Sequence, residues 1–340
     1  MTILYSVLHF LVDGICAFAM MNYFSGMYDY QMEGLLYNFC AFALQMPLGV
    51  ILDIINVAKK ESPLPSFWFA FLGVAVTYVG AFTHPVILGI GNALFHLGGG
   101  VGTIQEDRRK NHKGTDLGIF VAPGALGLFL GTLFTDKNTH LWVFIISLSV
   151  VLICFITGIA LLRSLKAGKS VSVLKTPEFK WKNGLVAGCF LVVILRSYLG
   201  LAISFSWKTT VLFSLIAVLA VVLGKIAGGF AAAYLGVRRT VLFSLAGAAV
   251  CYLFSGFMPL GILALFLFNM TMPITLYGLV QRWEKMPGLA FGLLTFAIFI
   301  GYIPVYLGLP TLQNGNVLGF VGSVLSGVIL IMCLRKKEEV

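Results

Sequence analysis

The chain has 340 residues, of which 59% are hydrophobic and only 11% are charged. Soluble domains carry about 25% charged residues, so this composition excludes a soluble globular protein and points to a membrane one. The formal net charge of +10 is assigned to loop residues that orient membrane helices, so no nucleic-acid partner is expected.

Twelve apolar runs follow one another: about 3–22, 33–54, 65–82, 85–104, 116–134, 140–162, 184–206, 209–233, 239–257, 259–281, 287–307 and 315–334. Each is near the ~20 residues that one helix needs to cross a ~30 Å hydrocarbon core. None alternates as a membrane β-strand does. The first run is long, lacks a basic leader and contains Asp13, so it reads as a retained helix and not as a cleaved signal. The expected fold is an all-α polytopic membrane protein of twelve transmembrane helices, whose lipid partner is the bilayer.

The connections alternate in charge. One set, with the C-terminal tail, holds 19 of the 23 basic residues, among them Lys59, Lys60, Arg108, Arg109, Arg163, Lys169, Lys175, Lys180, Lys182, Arg282, Lys285, Arg335, Lys336 and Lys337. The opposite set holds Lys137 and Lys208. This bias places both termini in the cytoplasm. The longest connection is polar and basic and divides the helices six and six. The expected organisation is a six-helix bundle over 1–163, a cytoplasmic linker over 164–183 and a second bundle over 184–340.

An internal repeat agrees with that division. "GVILDIINVAKK" (Gly49–Lys60) follows the second run and "GFAAAYLGVRR" (Gly229–Arg239) follows the eighth. They align at an offset of 180, Gly49 on Gly229 and Asp53 on Ala233. Parallel six-helix repeats fit a transporter better than a membrane enzyme. No HExxH and no GxSxG at a helix end is present, so the chain is not expected to be an enzyme.

These repeats resemble the loop motif of the major facilitator superfamily, G-x-L-x-D-x-x-G-[RK]-[RK]. The first copy keeps Gly49, Asp53, Lys59 and Lys60, with Asn56 at the second glycine. The second keeps Gly229, Gly236, Arg238 and Arg239, with Ala233 at the acid. The resemblance implies that Asp53 and the basic residues tie helices together at the cytoplasmic side in one conformation. Within the superfamily the chain is similar to the fosmidomycin-resistance branch, through "HFLVDG" (His9–Gly14) and "GIGNALFHLGGG" (Gly89–Gly100), where Leu97 replaces the branch's proline. Alternating access between two halves is the expected mechanism, and the short loops fit a bacterial inner membrane. A monomer is what the superfamily resemblance implies, and the branch's phosphonate agrees in sign with an anionic cargo.

Charged groups near mid-bilayer cost about 2.5–3.5 kcal/mol on insertion scales, so such residues usually face a cavity or a partner. Asp13 and His9 are four residues apart and share a helix face, a candidate site for proton coupling or gating. Arg196 sits mid-helix at the position that repeats Asp13 within one turn. It is expected to pair with Asp13 or to grip an anion with two parallel hydrogen bonds. Lys225, ~13 Å from the cytoplasmic end of its run at 1.5 Å per residue, and His96 are further candidates for substrate binding. So are Asn269, Tyr198 and Tyr302, while Tyr37, Asn38, Gln45 and Asn92 are weaker ones. Six cysteines lie inside apolar runs without CxxC and read as packing residues. No Cys, His and Asp set shows metal-ligand spacing, so no metal or cofactor is expected. The function expected is secondary transport of a small organic anion, with protons as the candidate coupling ion. The alternative is an exporter of amphipathic drugs, in which Asp13 binds a cation or proton and Arg196 is structural.

Overall fold

The computed structural model describes residues 1–59, 62–167, 184–309 and 314–334. Lys60, Pro310, nearly all of the basic linker and the tail from Arg335 lie outside the described residues. Those described form twelve helical rods. They are α1 (Thr2–Phe24), α2 (Tyr30–Ala58), α3 (Leu64–Thr83), α4 (Pro85–Lys110), α5 (Thr115–Gly131) and α6 (Lys137–Ala167). The rest are α7 (Leu185–Ala202), α8 (Val211–Leu235), α9 (Val237–Leu253), α10 (Met258–Arg282), α11 (Pro287–Tyr306) and α12 (Gly315–Cys333). Ten are long and apolar enough to cross a membrane; α5 and the 17-residue α9 are the shorter two. The protein is a multi-pass membrane protein.

The rods fall into two compact units. Unit 1 holds α1–α4, α5 from Pro123 onward, α6, and Lys285–Gly292 at the start of α11. Unit 2 holds His112–Ala122 with the first part of α5, α7–α10, α11 from Leu293, and α12. The chain therefore passes from one unit to the other inside α5 and again inside α11.

Backbone chemistry explains where the rods bend. In α5 the helix breaks at Ala122, and Pro123, which has no N–H to give, opens the second segment. In α10 it breaks at Met270, three residues before Pro273. In α2, Pro47 lacks the N–H that would bond Ala43, and the preceding turn widens to a π turn over Phe39–Ala43. Leu44 N–H reaches back to the Phe39 carbonyl at 3.3 Å, and the Gln45 side-chain amide donates to the Ala41 carbonyl at 2.6 Å. Gln45 thus repairs its own helix instead of lining a cavity.

Small residues set the spacing inside each unit. On α3, Gly73 and Gly80 face the backbone of Phe95 and Leu88 of α4, while Gly91 and Gly98 of α4 face Thr77 and Ala70 in return. On α5, Gly127 and Gly131 lie against the carbonyls of Phe10 and Gly14 of α1. In unit 2, Gly224 and Gly228 of α8 lie against the Phe266 and Met270 carbonyls of α10. A side chain at any of these glycines would meet backbone, so dispersion between close-packed main chains holds these helices together.

Candidate functional site: a buried histidine–aspartate cluster

His9 and Asp13 share one face of α1, and Asn92 and His96 share one face of α4. The fold sets these two i,i+4 pairs against each other. His9 Nε2 lies 3.2 Å from Asp13 Oδ2, and His96 Nε2 lies 3.5 Å from Asp13 Oδ1. The two imidazoles approach to 2.9 Å between their Nε2 atoms, with ring planes almost perpendicular at 86°. Asn92 Nδ2 donates to Asp13 Oδ1 at 3.2 Å and lies 3.4 Å from Cys16 Sγ. His9, Asp13, Asn92 and His96 are 6%, 7%, 2% and 8% exposed, so the cluster is more than nine-tenths buried.

The hydrogen bonds assign the protons. His96 Nδ1 is 3.0 Å from the Asn92 carbonyl, which only accepts, so Nδ1 carries the hydrogen and a neutral His96 offers the lone pair of Nε2. The short contact between the two Nε2 atoms then needs one proton, carried by His9. That proton sits within reach of both His96 and the Asp13 carboxylate. From α5, Gly124 closes the cluster: a Cβ there would strike Asp13 Oδ2 and His9 Nε2.

Within its own unit, the partners the structure gives Asp13 are therefore two histidines and Asn92. His96 and Asn92 are 83 and 79 residues from Asp13, so spacing along the chain gave no sign of a three-residue ligand set. The fold assembles one: His9, Asp13 and His96 each offer a ligand atom, all within 4.8 Å of one another. Cys16, read as mere packing, lies beside this set.

In unit 2, Arg196 is partly buried on α7, and its Nη1 is buried without a hydrogen-bond partner among the described residues. Lys225 on α8 donates to the carbonyl of Val121 at 3.1 Å, where α5 breaks. Asn269 donates its amide to the Leu265 carbonyl of its own helix at 2.9 Å, so this donor is spent internally. Thr271 and Thr275 also bond within α10, to Phe268 and Met272. Tyr198 is half-buried on α7, and Tyr302 packs against Tyr306 with ring centroids 5.0 Å apart.

The loop motif is explicit at its first copy. Asp53 is 3% exposed and accepts the backbone N–H groups of Gly288 (2.7 Å) and Leu289 (2.8 Å) at the start of α11. Gly49 and Gly288 permit this approach, each lying against the other's carbonyl. At the second copy, Gly229 of α8 lies against Gly114 and Gly118 at the start of α5. Gly236 turns the chain from α8 into α9 at φ 88°, a left-handed conformation that favours glycine, and Arg238 and Arg239 are exposed.

No protein-family model matches the chain, and no curated protein matches it. Solved structures do share its fold. A bacterial homologue of the iron transporter ferroportin, in an outward-facing state, superposes with a TM-score of 0.62 at 15% identity, over 97% of this chain and 98% of that one. The same homologue with soaked iron gives 0.61, again at 15% identity and with coverage of 97% and 98%. The E. coli fucose:proton symporter FucP gives 0.57 at 13% identity, over 98% of each chain. The chain thus has the fold of major facilitator transporters. At these identities the likeness carries the fold alone.

Proposed function

We propose that the protein is a proton-coupled secondary transporter of a small organic anion, working by alternating access in a bacterial inner membrane, with twelve crossings and both termini cytoplasmic. The two fold relatives are named for iron and for fucose, so the fold does not choose the solute. The observation that carries the anion reading is Arg196. A guanidinium with a buried nitrogen and no acceptor for it is costly, by about 1–3 kcal/mol or more. A carboxylate or phosphonate arriving as cargo would remove that cost with paired charge-assisted bonds. Resemblance to the fosmidomycin-resistance branch agrees in the sign of the charge.

The coupling half of the proposal rests on the cluster in unit 1. A proton shared among His9, His96 and Asp13 can be added or removed without rebuilding a helix, which suits a carrier that must change state each cycle. The Asp53 cap on α11 acts as a latch favouring the conformer in which it is made.

The test is uptake of organic anions into proteoliposomes, with ligand-induced thermal stabilisation of the purified protein alongside. Arg196→Gln is expected to lower anion uptake at least tenfold and to abolish stabilisation by anions. Full uptake by that variant would sink the anion reading. It would favour the second one, an exporter of amphipathic compounds. That reading draws support from an open groove of about 710 Å³ between α8 and α10, lined by Leu219, Leu223, Met258, Ile262 and Phe266.

A further inference from the structure

We propose that His9, Asp13 and His96 form a binding site for a divalent transition-metal cation, with Asn92 as the fourth ligand. The inference stands on the geometry of unit 1 and is independent of the anion reading of Arg196.

Four observations carry it. The first is spacing. An imidazole binds zinc at about 2.0–2.1 Å, so neighbouring ligand atoms of a tetrahedral site lie about 3.3–3.4 Å apart. The contacts between the side chains are 2.9, 3.2 and 3.5 Å, the last two to different oxygens of Asp13, and one ligand atom from each residue lies within 4.8 Å of the others. A cation entering between them needs the Asp13 carboxylate to turn one oxygen toward both rings.

The second is the tautomer. Metal-bound histidines almost always give their other ring N–H to a carbonyl or carboxylate, which fixes the ring and raises its basicity. His96 does this through Nδ1 to the Asn92 carbonyl, leaving the Nε2 lone pair aimed at His9 and Asp13.

The third is Asn92. It is 2% exposed, its amide leans on Asp13, and its Oδ1 has no hydrogen-bond partner among the described residues. A half-turn of the amide would exchange Nδ2 for Oδ1 beside Asp13. That arrangement is repulsive with the carboxylate alone and favourable with a cation between them.

The fourth is the ligand chemistry. Two imidazoles and one carboxylate suit Zn²⁺, Co²⁺ or Fe²⁺, whereas Mg²⁺ and Ca²⁺ want all-oxygen shells. Gly124 lies directly against Asp13 and His9, so no side chain of α5 stands between these ligands.

Binding would displace the proton that His9 holds against His96, so metal and proton compete for the same atoms. Cys16 Sγ lies 3.4 Å from the Asn92 amide and outside the ligand set.

The experiment uses the purified full-length protein in detergent, stripped with chelator and titrated with Co²⁺. One saturable site is expected, with the visible absorption of a four- or five-coordinate nitrogen–oxygen shell, bleached by Zn²⁺. His96→Ala and Asp13→Asn should each weaken binding at least tenfold. Asn92→Asp, which adds a charged ligand, should tighten it severalfold, so a gain guards against losses caused by misfolding. Removing the ring at His84, His112 and His140 together should leave Co²⁺ binding unchanged. The proposal is overturned by absence of saturable binding below millimolar Co²⁺. It is overturned equally by Co²⁺ spectra that persist in monodisperse His96→Ala and Asp13→Asn protein, or by an Asn92→Asp variant that binds no tighter. Anion uptake measured in chelator tests Arg196 separately, so either reading can fail while the other stands.

Discussion

Asp13 in unit 1 and Arg196 in unit 2 are buried charges met in opposite ways. In unit 1, Asp13 is held by His9, His96 and Asn92, and Asp53 by two backbone N–H groups. Glu106 is held by Arg109 and Lys110 at 2.7 and 2.9 Å. In unit 2, Arg196 keeps a buried nitrogen with no acceptor among the described residues. A satisfied network rigidifies and can hold a proton or a cation, whereas an unsatisfied cation is a demand that a transient ligand can meet.

The loop motif repeats the contrast with a physical reason attached. The N-terminus of α11 has no acid in its first turn and takes the carboxylate of Asp53 from α2. The N-terminus of α5 brings its own, Asp116, 3.1 Å from His112 Nδ1. The helix at the second copy already has its anion, so Ala233 can stand where the first copy has Asp53.

Substitutions can break or sharpen this contrast. The largest effect is expected from Gly124→Leu. Its side chain would wedge α5 away from Asp13 and His9, and overpacking of this kind costs about 3 kcal/mol or more. Loss of monodisperse protein on size-exclusion chromatography is the readout; a normal yield and melting temperature would mean the α1–α5 seam tolerates bulk. Next comes Asp13→Asn, expected to keep the fold but to lower proton-driven uptake at least tenfold and to flatten its pH profile. Wild-type rate and pH dependence would make the cluster structural only.

Smaller is Asp53→Asn. It loses one charge-assisted backbone bond and the charge on the α11 dipole, about 2 kcal/mol, read as a lower denaturation midpoint and a shifted balance between inward and outward states. An unchanged midpoint would remove the latch. Smallest is Ala233→Asp, expected within about 0.5 kcal/mol of wild type because Asp116 already serves α5. A stabilisation comparable to the Asp53 loss would show that α5 lacks an anion and defeat the explanation given above.

Much of this molecule was legible in advance. Twelve apolar runs became twelve rods within a few residues of their expected ends, because membrane helices must satisfy every backbone group within the segment. Five intramembrane titratable residues stood out because charge is rare there. Their company was not legible. His96 meets Asp13 because α1 packs beside α4. In α10, Asn269, Thr271 and Thr275 donate to carbonyls of their own helix, next to a proline break. The passage of the chain between units within α5 and α11 also lacked a composition signal.

The sequence by itself determined the solvent this protein lives in, the length and number of its helices, and the identities of the few groups able to carry charge inside it. These follow from local chemistry, from hydropathy, proline and the spacing of one turn. The tertiary structure alone decided which of those groups touch. It joined two i,i+4 pairs from distant helices into one buried cluster and left Arg196 with an unmet hydrogen bond. Distances of 2.9 to 3.5 Å between side chains are set by how the helices that carry them pack, and that is a property of both partners, not of either segment alone.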